Sequence, residues 1–246
     1  MCLLCRASTA AAHPGSSRRR FLQSVGGFAA SVALVPSAFA KDTKASPKPQ
    51  NDISSDGALN RLMKGNARYV AGVSRRHDFK AEREALVGGQ NPYAGILSCA
   101  DSRIAPEYAF DSGRGDLFVC RVAGNFANND TVASLEYAVA ILNTPLLLVL
   151  GHESCGAVDA TIKSLKDNST LPGHLPSLVD NIAPAVKATM GQPGNQLENA
   201  IRRNVVDNVA KLKSATPILS AAVDGGKLRI VGGIYRLKDG KVELIA

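Results

Sequence analysis

PLLLVLGHESCG, residues 145–156, places five aliphatic side chains in a row after Pro145, with no polar position among them. A strand with one wet face alternates apolar and polar residues. A strand without that alternation is buried on both faces, as in a parallel sheet covered by helices. Gly151 is expected to break this strand, and GHESCGAVDATIKSL then reads as a turn entering a helix. His152 and Cys155 therefore stand three residues apart at the carboxyl end of a buried strand, where they can face one way. Open α/β sheets gather their ligands at such strand ends.

The flanking sequence repeats the pattern. Residues 93–98 read as a buried strand that stops at Cys99, and residues 116–122, with LFVCRV, as another that stops at Gly124-Asn125. Residues 228–237 and 241–245 form two more, joined by the hairpin signal Asp239-Gly240. Helical spacing occupies residues 58–72 (weakened by Gly65), 131–142, 177–190 and 196–212. The alternation predicts an α/β fold: a mostly parallel central sheet of four strands plus a short fifth edge strand, flanked by helices. There is no internal repeat and no dinucleotide-binding glycine fingerprint.

A chain of 246 residues with 45% hydrophobic side chains can bury a sizeable α/β core. Its formal charge of +8 is uneven. The first forty residues carry Arg6, Arg18, Arg19 and Arg20 and no acid, and the remainder has 25 Lys and Arg against 21 Asp and Glu. That small excess forms no basic run interleaved with aromatics, which argues against a nucleic-acid partner.

The N-terminus reads as an address. SRRRFLQ, residues 17–23, precedes an apolar segment over 25–35, then Pro36 and the triplet Ala38-Phe39-Ala40. A basic region, a short apolar region and A-x-A make an export signal, too short for a spanning helix. SRRRFLQ resembles the twin-arginine signal, with Gln23 where that pattern has Lys; an ordinary secretory signal or an uncleaved anchor is the alternative. Residues 1–40 are therefore expected to be a signal peptide and Lys41 the mature N-terminus, in the periplasm or otherwise exported. No stable membrane association is expected after cleavage. Residues 41–57 read as a polar linker or arm, and residues 58–246 as the folded domain.

Of five cysteines, Cys2 and Cys5 fall in the expected signal, leaving Cys99, Cys120 and Cys155. An odd count is a poor disulfide framework. A cysteine after a strand can be a core thiol, a redox thiol, a nucleophile or a metal ligand. Two thiolates and an imidazole at adjacent strand ends favour zinc, and three protein ligands leave a fourth position open for chemistry. Cys120 lies inside its strand and reads as a packed thiol.

Cys99-Ala100-Asp101-Ser102-Arg103 followed downstream by His152-Glu153-Ser154-Cys155-Gly156 resembles the paired C-x-D-x-R and H-x-x-C-G motifs of the β-class carbonic anhydrases. LMKGNARYVAG is similar to that family's first helix, RVAGN to its second strand end, and IVGGIYRLKDGKVELI to its closing strands. The resemblance implies one Zn²⁺ per chain held by Cys99, His152 and Cys155, and reversible hydration of CO₂ to bicarbonate and a proton. It also implies a homodimer or larger homo-oligomer. Asp101 would accept a hydrogen bond from the attacking hydroxide, and Arg103 would hold Asp101 ionised. Alternation along an extended segment is expected to point Cys99, Asp101 and Arg103 to one side.

In some family members the aspartate swings onto the metal and closes the site. Those best known for this switch have a bicarbonate pocket with Trp at the position of Ile96 and an arginine that Arg121 matches, so one match and one departure leave the switch open here. Two other functions compete: hydrolysis of CS₂ or COS on the same scaffold, and a non-catalytic zinc or redox module. The Asp101–Arg103 pair argues against the second, because a storage site needs no hydroxide acceptor.

Overall fold

The computed structural model of the chain describes residues 52–246; the expected signal peptide and residues 41–51 of the expected linker lie outside that range. Five strands form one sheet: β1 Ala94–Ser98, β2 Leu117–Arg121, β3 Leu146–His152, β4 Arg229–Tyr235 and β5 Val242–Leu244. Their spatial order is β2-β1-β3-β4-β5. The first four run parallel, and β5 pairs antiparallel with β4. This is the expected fold class. The β4–β5 turn is closed by Arg236 N–H donating to Lys241 O at 2.8 Å, with Gly240 at φ 76°.

β3 is central and buried along its whole length. Leu148 and Leu150 pack with Ile96 and Val231 on one face, beneath Leu62 of α1 (Ser55–Val70) and Phe110. Leu147 and Val149 pack with Leu97 and Ile230 on the other, against Val205 and Val209 of α7 (Gln196–Lys213). Period-two alternation thus divides one apolar run between two core layers. Truncating Leu148 to Ala would cost about 2–5 kcal/mol by the cavity it leaves.

Helix α1 starts three residues before the expected position because Ser54 caps it, accepting the Gly57 N–H at 3.1 Å, with Asp56 in the first turn. Gly65, a weak point by propensity, lets α1 lie against the end of α3 (Pro106–Ala109): a Cβ there would run into the Phe110 carbonyl. Helix α4 (Asn129–Ala140) also starts early, capped by Asn128, which accepts the Thr131 N–H at 2.9 Å.

The expectation that Gly151 ends β3 is wrong. Gly151 pairs with Ile234 and His152 with Tyr235, so the strand runs on for two residues. A Cβ at position 151 would lie 2.6 Å from Val205 Cγ2. The glycine makes room for α7 and leaves the ladder intact. α5 (Gly156–Lys166) and α6 (Pro176–Lys187) follow. Three short helices were not foreseen: α2 (Phe79–Ala85), α3 and α8 (Ile218–Asp224). None is long enough to display helical periodicity. Among the described residues no helix is long and apolar enough to cross a membrane.

Candidate metal and catalytic centre

The carboxyl ends of β1, β2 and β3 converge on one spot. Cys99 directly follows β1, His152 is the last residue of β3, and Cys155 is the residue from which α5 starts. All three are buried, and their donor atoms lie within 4.8 Å of one another. The two sulfurs are 4.0 Å apart and remain free thiols. Cys120 is half-buried in the packing between the sheet and its helices and takes no part.

His152 decides what the cluster is suited to. Its Nδ1 lies 2.8 Å from the Glu153 carbonyl, which can only accept, so Nδ1 carries the proton and Nε2 presents a lone pair. That Nε2 is buried and has no hydrogen-bond partner. A buried unpartnered nitrogen is costly unless something ligates it. Here it faces two thiols, a donor set matched to zinc.

Glu153, unremarked in the sequence, stiffens this corner. Its Oε2 accepts the Leu237 N–H at 2.9 Å and its Oε1 accepts from Arg236 Nη1 at 3.1 Å. Cys99 receives the Gly124 N–H at 3.3 Å. Gly124 has φ 88°, a conformation that favours glycine, and this brings its N–H round to the sulfur. The contact from Cys155, with help from His152 and Gly124, pulls the Cys99 thiol below its ordinary pKa against the opposing effect of burial. The same contact, together with burial, pushes Cys155 up.

Asp101 and Arg103 lie beside the cluster, but not by strand alternation. Residues 99–103 leave the sheet and turn. Asp101 Oδ1 accepts the Arg103 backbone N–H at 2.9 Å, and Ile104 N–H closes the turn on Asp101 O at 3.1 Å. An Asx turn therefore brings the guanidinium onto the carboxylate. Nε reaches Oδ1 at 2.9 Å and Nη2 reaches Oδ2 at 2.7 Å. Arg103 Nη2 also donates to Ser154 O at 3.1 Å, tying the turn to the loop that carries Cys155. Hydrogen bonds from Arg103 hold the Asp101 carboxyl well below the usual carboxylate range. Asp101 Oδ2 sits 3.9 Å from His152 Nε2.

Arg121 reaches back from the end of β2 to three carbonyls of this turn. Nε donates to Cys99 O, and Nη2 donates to Asp101 O and Ile104 O, all at 2.8–2.9 Å. Ile96, by contrast, is wholly buried in the core. A surface groove of about 1040 Å³, bordered by Phe79, Tyr108 and Arg114, includes none of the cluster residues.

Comparison with known proteins accounts for this arrangement. The family model described as carbonic anhydrase matches residues 94–242. The chain belongs to the β-carbonic anhydrase family. Carbonic anhydrase 2 of Mycobacterium tuberculosis is 40% identical over 184 residues, covering 74% of this chain and 89% of the relative. The solved β-carbonic anhydrase CcaA is 28% identical with a TM-score of 0.59, covering 76% of this chain and 95% of that one. A β-carbonic anhydrase of Sordaria macrospora, one of two described as tetrameric, shares the fold at 20% identity and a TM-score of 0.60, over 77% and 94% of the two chains. As a carbonic anhydrase the chain is an enzyme that interconverts carbon dioxide and bicarbonate. Neither CS₂ or COS hydrolysis nor a non-catalytic module is favoured.

Proposed function

We propose that this carbonic anhydrase works with one zinc ion per chain, held by Cys99, His152 and Cys155. The observation that carries the proposal is the buried, unpartnered Nε2 of His152 facing two thiols whose donor atoms all lie within 4.8 Å. When bound, zinc supplies hydroxide near neutral pH by lowering the pKa of water. The remaining chemistry belongs to the chain. Asp101, kept ionised by Arg103, accepts a hydrogen bond from the attacking O–H and turns its lone pair toward carbon dioxide. Arg103 fixes the plane of that carboxylate through two side-chain contacts and one backbone contact. Gly124 N–H and the Glu153 carbonyl hold the sulfur and imidazole in place from behind. Carbon dioxide hydration assayed with and without a chelator tests the reading. Full turnover in protein shown to be stripped of zinc would overturn it.

Export and assembly form part of the same proposal. The basic, apolar and A-x-A succession over residues 17–40 supports export by the twin-arginine route, with Lys41 as the mature N-terminus. Intact-mass analysis of periplasmic protein tests the cleavage, and Lys in place of Arg18 and Arg19 should block export. An unprocessed cytosolic chain would end this reading. Tetramers among proteins of the same fold support a homo-oligomer, which sedimentation of the mature enzyme would test.

A further inference from the structure

Asn204 and Asn208 lie one turn apart on α7, and both are buried. Asparagine is a poor helix former and its amide is expensive to bury, so two of them facing a core invite an explanation. Asn204 Nδ2 donates to Gly124 O at 2.8 Å. Asn208 Oδ1 accepts the Ala127 N–H at 2.7 Å. Asn208 Nδ2 donates to Asn204 O at 2.8 Å and to Asn204 Oδ1 at 3.1 Å. The second amide thus braces the first, and both ends of the network hold residues 124–127.

That segment contains the residue with the greatest backbone freedom at the centre. Gly124 sits at φ 88°, and its N–H is the one that meets Cys99 Sγ. A glycine can leave such a conformation easily. Fixing its carbonyl on one side of Cα restrains its turn and keeps the N–H on the sulfur. Leucines at 204 and 208 could join Val205 and Val209 in the apolar packing, but they would leave Gly124 O and Ala127 N without partners.

We propose that Asn204, braced by Asn208, is a positioning residue for the metal centre, holding Gly124 so that its N–H stays on Cys99. The inference rests on Cys99 serving as a zinc ligand. Outer partners of metal ligands typically change metal affinity by about 10–100-fold when removed. A role in packing alone would lower stability and leave zinc affinity unaltered.

The test uses the mature enzyme and zinc itself, titrated in competition with a chromophoric chelator. Melting of zinc-loaded and metal-stripped samples is recorded alongside. Asn204→Ala should weaken zinc binding by about 10-fold or more, with a smaller loss in Asn208→Ala. Val209→Ala, a core truncation on the same helix, should lower melting in both forms and keep wild-type zinc affinity. Wild-type affinity in Asn204→Ala, or an equal loss in Val209→Ala, would overturn the proposal. If Asn204→Ala fails to fold, Asn208→Ala decides by the same comparison. A wild type that binds no zinc would instead refute the metal assignment, and the inference with it.

Discussion

Arg103 grips Asp101 from two directions: its backbone N–H and its Nε both meet Oδ1 at 2.9 Å, while its Nη2 meets Oδ2 at 2.7 Å. Asp101→Asn should therefore keep zinc, since the three proposed ligands are untouched, and lose turnover by roughly 10²–10⁴-fold. Arg103→Ala should act in the same direction by freeing the carboxylate. Stopped-flow hydration with zinc analysis on the same samples checks both. Near-normal turnover in Asp101→Asn would remove the pair from the mechanism.

Cys99→Ser, His152→Ala and Cys155→Ser should each strip zinc and activity, whereas Cys120→Ser should retain both. Elemental analysis decides the matter. Full zinc in all three of the first variants would mean that the metal sits elsewhere.

Bicarbonate should inhibit only as a product, without steep cooperativity. Arg121 already spends its Nε and Nη2 on the carbonyls of Cys99, Asp101 and Ile104, and Ile96 is sealed in the core. Steeply cooperative inhibition curves for the wild type would contradict this.

Gly124→Ala should destabilise the enzyme by about 1–3 kcal/mol, the strain of a side chain at positive φ. The added methyl would also meet Ile182 Cδ1 at 2.5 Å, though the tip of that side chain can yield. Combining it with Ile182→Val should recover little of the loss. Full recovery in denaturant melts would shift the blame from backbone strain to crowding.

Asp111 makes a prediction about acid. Burial works to raise its pKa, but Arg68 Nε at 2.6 Å, the Arg75 N–H at 2.9 Å and the charges of both arginines outweigh it, so the carboxyl titrates below its ordinary value. A depressed folded pKa stabilises the fold above the unfolded value of about 3.9 and loses that contribution as pH falls through the folded one. Asp111→Asn should thus cost about 1–3 kcal/mol near neutrality. The gap to wild type should close below about pH 4. A gap that is unchanged into strong acid would show that the charge is irrelevant.

The sheet and the meeting of Cys99, His152 and Cys155 were legible because both follow from short-range pattern: unbroken apolar runs fix buried parallel strands, and strand ends in such a sheet converge. Gly151 misled because a glycine in a strand looks the same whether it ends the ladder or admits a helix above it; only the position of Val205 tells which. Asp101 and Arg103 were paired for the wrong geometric reason, since an Asx turn and strand alternation can bring the same two residues together. Glu153 and Asn204 carry no local signal, and Arg121 is marked only by the family resemblance, which does not give the partners it has here. Their partners are carbonyls, a backbone amide and a guanidinium distant in sequence, and no residue pattern encodes those.

The ladder that carries His152 past Gly151 also sets a gradient of opening across the centre. Amides in the middle strand of a sheet exchange their hydrogens only when the whole domain opens, whereas turns held by side chains open locally and far more often. His152 belongs to the first class by its pairing with Tyr235. Residues 101–103, held by the Asp101 and Arg103 side chains, belong to the second. The imidazole is thus anchored to the slowest part of the molecule and Cys99 borders one of the faster ones, so capture and release of the ion should follow the breathing of that turn, on a clock separate from unfolding.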